Sequence, residues 1–353
     1  MTATARRGGE PALPARDPAE AESPQALLDL VDVPGLAADM AEVEVALKET
    51  VRSGDRFLDE VAMHLTSAGG KRFRPLLVVT AARAVAEPGT AFSQDRMVTA
   101  AVAVELLHLA SLYHDDVIDE AERRRGIVTV NARWGNSVAV VAGDYLLARC
   151  AELVSTLGLE ETTIAARTLG DMSKGETQEL GSMFDVERDE LSYLEAIEGK
   201  TASLISTTCR LSAMQASVSD DVVDAMATFG RFVGMAYQVM DDVLDLDSSA
   251  DRLGKIPGQD LVEGVYTLPV IYALQRSERL RNLLGRPVDG EDLELAVRII
   301  RAEGGLDEGR RRVREYVDGA LDVLRDIDGG DPLHMGGLTR LVSCLAARAD
   351  PHA

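Results

Sequence analysis

The hydrophobic positions of this chain recur at helical spacing, and two of its segments are apolar on nearly every side. These segments are residues 97–113, MVTAAVAVELLHLASLY, and residues 225–240, AMATFGRFVGMAYQVM. A helix that is apolar all round has neighbours on every side, so both segments are expected at the centre of a bundle. Long stretches rich in Ala, Leu, Val, Glu and Arg carry few internal Gly or Pro, which favours helix throughout. The pattern predicts an all-α fold, a single-domain helical bundle.

Breaks in this pattern define the domain and its loops. Residues 1–25 are charged and proline-containing with no apolar core, which predicts a disordered N-terminal tail rather than a secretory signal. Residues 26–353 form one domain, because no other long Pro/Gly/Ser stretch divides them. Three segments are expected as loops between helices: 86–93, 248–260 and 329–337. The second of these is long and charged enough to be functional.

Each apolar segment runs directly into an aspartate motif. The motifs are DDVID, with Asp115, Asp116 and Asp119, and DDVLD, with Asp241, Asp242 and Asp245. At helical spacing, the first and last aspartates share one face, where their carboxylates repel each other and meet the negative end of the helix dipole. A divalent cation removes both costs, and carboxylate-rich ligation suits magnesium, whose shell substrate phosphates can complete. A solvated acidic helix end would explain one motif equally well, but two copies after buried helices favour the metal site.

The charge balance narrows the range of partners. The chain has 59 acidic and 37 basic residues, a formal net charge of −22, which repels nucleic acids and anionic lipid surfaces. Two basic clusters are exceptions, GGKRFRP at residues 69–75 and the three arginines at 123–125. Either cluster could be a solvated patch, but arginine forks and lysine charges also suit phosphate oxygens. An apolar cavity topped by carboxylates and basic groups would hold a diphosphate with a hydrocarbon tail.

The cysteines and the apolar segments of the chain indicate the cellular compartment in which the protein is found. Cys150, Cys209 and Cys344 lie far apart without a CxxC pair, so neither a zinc site nor a disulfide framework is indicated. No segment reaches the roughly 18 to 20 uninterrupted apolar residues that cross a bilayer. We therefore expect a cytoplasmic protein without a transmembrane segment and without a nucleic-acid partner.

Six motifs in a fixed order make the chain resemble the trans-isoprenyl diphosphate synthases, also called the polyprenyl synthetase family. They are GGKRFRP, HDDVIDEAERRRG, GDYLLAR, GKTAS, YQVMDDVLD and GKIPGQDLVEG, and the resemblance covers residues 40–349. It implies a helical bundle around a central cavity, a homodimer, and three magnesium ions bound with an allylic diphosphate. It also implies head-to-tail condensation of isopentenyl diphosphate with that primer, farnesyl or geranylgeranyl diphosphate, and transient membrane contact when the product is released.

The resemblance also assigns functions to individual residues. The principal metal ligands are Asp115, Asp119 and Asp241, supported by Asp116, Asp242 and Asp245. The residues that bind the allylic diphosphate are Arg124, Lys200 and Lys255, and Lys200 is expected to be catalytic together with the six aspartates. Thr201 and Gln238 are also expected to bind substrate, and Gln238 stands at the usual polar position just before the second motif. The pocket for isopentenyl diphosphate is formed by Gly70, Lys71, Arg74, His108 and Arg125. Glu176 and Glu179 fall where the family carries polar residues near the metals. By position alone, both lysines of the allylic site would pass for surface residues and His108 for an ordinary buried histidine.

Two positions depart from the family pattern. Val265, in DLVEGVYTLP, stands where many members have a lysine that adds to diphosphate binding, so this substitution weakens the electrostatic attraction for the substrate. Tyr237 stands where phenylalanine is common. It keeps an aromatic ring and is expected to matter less.

Product length is expected to depend on the helix that leads to the first motif. Ser111 and Ala110, four and five residues before that motif, form the expected floor of the cavity, where members with short products commonly carry a large aromatic. Small residues leave room for more isoprene units, which predicts a long-chain all-trans polyprenyl diphosphate of the sort used for quinone side chains. In the alternative, Leu106, Leu107 or Tyr113 closes the cavity and the product is geranylgeranyl diphosphate.

Two further alternatives come from other classes of protein. A class I terpene cyclase shares the bundle and one aspartate motif, but it needs no isopentenyl diphosphate pocket and its second motif usually contains Asn, Ser and Glu. The second DDVLD motif, Lys71 and Arg74 therefore argue against a cyclase. A regulatory subunit of a heteromeric synthase commonly loses the aspartates, which are intact here.

Overall fold

The structure, a computed structural model, describes residues 23–86, 93–247, 257–327 and 329–349. Within these ranges the chain is helical except for turns and one antiparallel hairpin, β1 (Arg123–Arg124) with β2 (Ile127–Val128). Arg125 and Gly126 connect these strands, and both have positive φ angles, 53° and 79°. Such a two-residue turn matches the twist of a hairpin. The predicted all-α fold is confirmed.

The helices follow one another through short turns, and several begin at a capping residue. The side chains of Ser23, Asp55, Ser93 and Asp189 each accept a hydrogen bond from a backbone N–H of the turn that they precede. The helices are α1 (Pro24–Val31), α2 (Leu36–Thr50), α3 (Arg56–Ser67), α4 (Phe73–Val85), α5 (Gln94–Ile118), α6 (Val130–Trp134), α7 (Asn136–Leu157), α8 (Leu159–Gly181), α9 (Glu190–Ile197), a single π-helical turn (Glu198–Ala202), α10 (Ser203–Gln215), α11 (Asp220–Asp247), α12 (Gln259–Glu263), α13 (Leu268–Leu274), α14 (Glu278–Leu283), α15 (Gly290–Ala302), α16 (Gly305–Asp326) and α17 (Pro332–Ala349).

The two apolar segments of the sequence lie at the centre of the bundle. α5 packs against α2, α4, α7 and α10, while α11 packs against α10, α16 and α17. Met97, Leu106 and Leu109 of α5 and Phe229 and Val233 of α11 are fully buried. α5 is the one described helix long and apolar enough to cross a membrane, and 78% of its apolar stretch is buried inside the protein. That burial is the environment of a core helix.

The first and last described helices are joined to each other. α1 packs on α17, and the Arg340 guanidinium donates hydrogen bonds to the carbonyl oxygens of Leu30, Val31 and Asp32. One side chain therefore satisfies carbonyl groups at the C-terminal end of α1, which have no partner within that helix.

The helix bounds agree with some of the predicted loops and contradict others. α4 ends at Val85 and α5 begins at Gln94, on either side of the loop predicted at 86–93, of which residues 87–92 lie outside the described residues. Residues 1–22 and 248–256 lie outside the described residues, and α1 already includes residues 24 and 25. The loop predicted at 329–337 is wrong, because α17 begins within it at Pro332.

Capping and close packing explain why α17 runs through two glycines. The Asp331 carboxylate accepts hydrogen bonds from the backbone N–H groups of Leu333 and His334, at 2.9 and 3.1 Å. A side chain at Gly337 would lie 2.9 Å from a methyl group of Val31. This glycine therefore serves the contact between α17 and α1 rather than a turn.

Candidate active site

A cavity of about 640 Å³ opens between α4, α5, the π-helical turn and α11. Most of the predicted site residues line it: Gly70, Lys71, Arg74, His108, Ser111, Asp115, Arg124, Arg125, Lys200, Thr201, Gln238 and Asp241. Tyr237 and Arg72, the latter from the basic cluster GGKRFRP, line it too, together with residues that the sequence analysis did not single out: Phe73, Glu105, Leu112 and Met172. Carboxylates from both aspartate motifs thus face the same space as the clustered basic side chains.

The C-terminal end of α5 presents the first aspartate motif. Burial raises the pKa of Asp115 to about 7, with Glu176 and Asp119 adding to the rise while Lys200 and Arg124 oppose it. Burial likewise raises the pKa of Asp119, whose backbone N–H donates to the carbonyl oxygen of Asp115 at 2.8 Å. Both carboxylates therefore lie where the protein alone supplies too little positive charge and hydrogen bonding to stabilise their ionised form.

Asp116 has different contacts from its neighbours in the motif. Its side chain is buried and accepts a hydrogen bond from Arg124 Nε at 2.5 Å. Its carbonyl oxygen accepts a hydrogen bond from Asn131 Nδ2 at 2.9 Å. Asp116 therefore orients the arginine that follows the motif and holds the hairpin region against the end of α5.

The second motif is at the C-terminal end of α11. Asp241 lines the cavity, and Asp242 is buried behind it. The Asp242 carboxylate accepts hydrogen bonds from the Tyr193 hydroxyl at 2.5 Å and from Gln238 Nε2 at 2.9 Å. Burial nevertheless raises the pKa of Asp242 to about 7. The tyrosine and the glutamine fix this carboxylate in place beside Asp241.

Asp245, the last aspartate of the second motif, anchors the chain that follows residues 248–256. Its carboxylate accepts hydrogen bonds from the backbone N–H groups of Gln259 at 3.1 Å and Asp260 at 3.3 Å. These donors belong to the first turn of α12, whose N–H groups have no partner within the helix. Asp245 therefore docks α12 beside the end of α11.

The π-helical turn carries Lys200 and Thr201 into the cavity. The Lys200 ammonium contacts Glu176 Oε2 at 2.8 Å and also binds Glu179. Burial alone would lower the pKa of Lys200, but these two glutamates outweigh it and the pKa rises. The Thr201 hydroxyl donates to Gln238 Oε1 at 2.7 Å. The turn thus connects α8, which carries the glutamates, with α11.

The basic end of the cavity is built on the glycine pair of GGKRFRP. Gly70 has φ of 141°, and a side chain there would lie 2.5 Å from Arg125 Nη1, so glycine admits the guanidinium, which donates to the Gly69 carbonyl oxygen. Burial lowers the pKa of Arg74, and its Nε is buried without a hydrogen-bond partner. Burial and the surrounding arginines hold the pKa of His108 well below its usual range. This end of the cavity therefore concentrates positive charge, and the Nε–H group of Arg74 is available to donate a hydrogen bond to a ligand.

An ion-pair network that the sequence analysis missed supports this basic end. Arg72 is a buried residue in left-handed conformation, with φ of 48°. Its guanidinium binds Glu105 Oε1 at 3.0 Å, Glu44 Oε2 at 2.9 Å and the Thr66 carbonyl oxygen at 2.7 Å. The network therefore fixes the backbone between Lys71 and Arg74. In the sequence, the charged Glu105 within an otherwise apolar run was the feature that could have indicated this network.

Three further residues near the second motif were also missed. Arg188 is buried, donates to the Tyr266 carbonyl oxygen at 3.1 Å, and lies over the ring of Tyr193 with 5.6 Å between its Cζ and the centroid. Burial, with the neighbouring Asp242 and Asp245, raises the pKa of Asp260 well above its usual range. Asp260 was visible in the quoted motif GKIPGQDLVEG. Tyr193 and Arg188 had no signal in the local pattern.

The residues expected to set product length separate in the structure. Ser111 borders the cavity together with Leu112, whereas Ala110 is fully buried. Leu106, Leu107 and Tyr113 are buried as well, and the Tyr113 hydroxyl donates to the Val61 carbonyl oxygen at 2.7 Å. None of these three side chains lines the cavity formed by the described residues. Lys255, expected at the allylic diphosphate, lies outside the described residues.

The acidic residues fit a divalent cation that also uses substrate oxygens. Among the described residues, no three His, Cys, Asp or Glu side chains converge closely enough to hold an ion by themselves. Yet burial makes ionised Asp115 and Asp119 unfavourable, as expected where a cation later supplies the missing charge. Magnesium usually binds one or two carboxylates and completes its shell with waters and phosphates, which matches this donor set.

Comparisons with known proteins identify the family. The polyprenyl synthetase family model matches residues 55–300. The nonaprenyl diphosphate synthase of Mycobacterium tuberculosis is 39% identical over 89% of this chain and 95% of its own length. Component 2 of the heptaprenyl diphosphate synthase of Geobacillus stearothermophilus is 37% identical over 89% of this chain and 97% of its own. A crystal structure of the Caulobacter crescentus polyprenyl synthase, complexed with calcium and isoprenyl diphosphate, has a TM-score of 0.82 and 32% identity, covering 93% of this chain and 98% of that chain. This chain belongs to the polyprenyl synthetase family.

Proposed function

We propose that this protein is a prenyltransferase that condenses isopentenyl diphosphate head-to-tail with an allylic diphosphate to give an all-trans, long-chain polyprenyl diphosphate. One observation carries the proposal: a single cavity is lined both by Asp115 and Asp241 and by Lys71, Arg74 and Arg125. Carboxylates suited to a cation and clustered phosphate-binding groups are what two adjacent diphosphates require. The names of the relatives, a nonaprenyl and a heptaprenyl diphosphate synthase, support the long-chain product.

In the proposed reaction, the allylic carbon–oxygen bond breaks first. Arg124 and Lys200 bind the departing diphosphate and stabilise the negative charge that accumulates on it. The allylic cation that remains lies in a cavity whose wall includes Leu112 and Met172, and these apolar side chains keep water from capturing it.

Bond formation follows at the basic end of the cavity. Lys71, Arg74 and Arg125 hold isopentenyl diphosphate so that its double bond attacks the allylic cation. A carbon–carbon bond forms, a proton leaves to the departed diphosphate, and the chain is longer by one isoprene unit. His108 stays uncharged because its pKa is low, so it binds the second substrate as a neutral hydrogen-bonding group. No side-chain nucleophile is required.

We propose that magnesium completes the site, with three ions as the resemblance implies. Asp115, Asp119 and Asp241 would hold them together with phosphate oxygens of the allylic substrate. When bound, the ions supply Lewis-acid stabilisation of the diphosphate charge. Removing magnesium with EDTA should abolish turnover, and adding magnesium back should restore it.

Product analysis tests the proposed function. The protein is incubated with magnesium, isopentenyl diphosphate and farnesyl diphosphate, and the dephosphorylated products are sized by chromatography. We expect chains longer than geranylgeranyl, and no product from the Asp115→Asn variant. Geranylgeranyl diphosphate as the end product would support the shorter alternative, and a hydrocarbon formed without isopentenyl diphosphate would support the cyclase.

A second candidate function follows from the relative named component 2. In this alternative, the chain is one subunit of a synthase that acts only with a different partner chain. Purified protein that is inactive alone with every allylic primer, but active when a second component is added, would support it. The homodimer and the cytoplasmic location that the sequence suggested remain proposals, and light scattering of the pure protein tests the first.

A further inference from the structure

Three glycines bring the backbones of α8 and α11 against the π-helical turn that carries Lys200 and Thr201. The distances from an ideal Cβ atom, placed on each glycine, to its nearest neighbours show how close the backbones are. At Gly175 of α8 such an atom would lie 2.3 Å from Lys200 N and 2.5 Å from the Ala196 carbonyl oxygen. At Gly199, within the turn, it would lie 2.7 Å from the Asp171 carbonyl oxygen. At Gly234 of α11 it would lie 2.5 Å from Ala202 Cα.

Space, rather than backbone conformation, is what these glycines provide. All three lie in helical segments, and their φ angles fall outside the left-handed range. Their neighbours are backbone atoms or the first side-chain carbon of Ala202. None of these atoms can swing aside, so a side chain at any of the three positions would push the turn away from its helix.

The turn between these helices needs such support. A π-helical turn is rare within a helix and persists where surrounding contacts favour it. Its two polar side chains reach in different directions, Lys200 to Glu176 and Glu179 on α8, and Thr201 to Gln238 on α11. The separation between the turn and each helix therefore decides where the ammonium and hydroxyl groups lie in the cavity.

We propose that Gly175, Gly199 and Gly234 are positioning residues for prenyl transfer, which hold the π-helical turn in backbone contact with α8 and α11 so that Lys200 and Thr201 meet the allylic diphosphate. The inference rests on the proposed function and adds residues to it that touch no substrate. Displacing catalytic groups by about 1 Å can cost on the order of 100-fold in rate, so the contact distance matters for activity.

Binding of farnesyl diphosphate in the presence of magnesium, measured by calorimetry without the second substrate, tests the inference. We expect Gly175→Ala to raise the dissociation constant at least 10-fold, while the KM for isopentenyl diphosphate changes less than twofold. Gly170→Ala is the matched control, since Gly170 lies on the same helix with no atom within 4 Å of its built side chain. It should behave as the wild type.

A double-mutant comparison distinguishes a displacement of Lys200 from a general loss of rigidity in the protein. If Gly175 acts through Lys200, then Gly175→Ala should weaken farnesyl diphosphate binding less than twofold further in a Lys200→Ala background. A folded Gly175→Ala protein with unchanged affinity, or one that loses both substrates equally, would overturn the inference. Should Gly175→Ala fail to fold, Gly199→Ala decides, because its overlap is smaller. A wild type without prenyl transfer would instead refute the proposed function.

Discussion

Replacing Asp115 by asparagine should stabilise the metal-free protein while abolishing its activity. Burial raises the pKa of Asp115 to about 7, so the folded protein disfavours the ionised form that the unfolded chain adopts above its usual pKa of 3.8. The free energy of unfolding of the wild type therefore falls as the pH rises from about 4 to 7. Asparagine keeps the shape of the side chain without the charge and escapes this loss.

The shift from 3.8 to about 7 sets the size of the effect. It corresponds to roughly 4 kcal/mol at pH 8, at about 1.4 kcal/mol for each unit of pKa. About 1.7 kcal/mol of this is already lost by pH 5, at about 1.4 kcal/mol for each pH unit above 3.8. Water in the cavity screens part of the rest, so we expect Asp115→Asn to gain about 2 kcal/mol between pH 5 and pH 8. A gain of this size is a large fraction of the stability of a typical protein.

Urea unfolding in EDTA at both pH values measures this gain. Asp318→Asn is the control, because Asp318 is an exposed residue of α16, and we expect its effect to be the same at both pH values. Adding magnesium with inorganic diphosphate should then stabilise the wild type and leave Asp115→Asn unchanged. If Asp115→Asn and the wild type kept a constant difference from pH 5 to pH 8, the idea of an energetically costly carboxylate would be refuted.

Three other substitutions test separate parts of the site. Ser111→Phe should shorten the longest product seen by chromatography, because Ser111 borders the cavity; unchanged products would mean that the chain grows elsewhere. Tyr193→Phe removes a hydroxyl donor from buried Asp242, which should cost about 1.5 to 3 kcal/mol in urea unfolding at pH 8. That cost should be smaller at pH 5, below the Asp242 pKa of about 7, and an equal cost would contradict this assignment. Val265→Lys should lower the KM for the allylic primer several-fold with no change for isopentenyl diphosphate, and an effect on both substrates would argue against a local charge.

Local patterns were sufficient for the central helices and for most of the charged groups that face the cavity, with Glu105 as an exception. The aspartates of DDVID and DDVLD could be found because each pair shares a helix face directly after an apolar run. The basic residues could be found because they are exceptions in an acidic chain. Both signals depend on neighbours within a few residues, where helical geometry relates sequence to space. The match to the family model over residues 55–300 confirms the resemblance that those motifs suggested.

Contacts between residues that are far apart in sequence could not be predicted from local patterns. Tyr193 and Asp242 are 49 residues apart in sequence, and no local pattern joins them. GKTAS gives no sign of a π-helical turn, and the backbones that pack against that turn come from two other helices, at Gly175 and Gly234. The predicted loop at 329–337 failed for the same reason, since Gly337 serves a contact with α1 that only the folded chain reveals. Long-range packing thus decided what local propensity could not.

The hydrogen bonds from Arg340 join α17 to the end of α1, and both helices border a space next to the candidate active site. A second, smaller cavity is lined by Leu27 and Leu30 of α1, by Leu341 and Cys344 of α17, and by Lys71. Phe73 and Tyr237 line this cavity as well as the larger one, so their rings form a wall that the two cavities share. Starting the chain at residue 36 would remove one side of that wall's support and leave Arg340 without its carbonyl partners. Sequence changes far from either aspartate motif would in this way reach Lys71, one of the residues proposed to bind isopentenyl diphosphate.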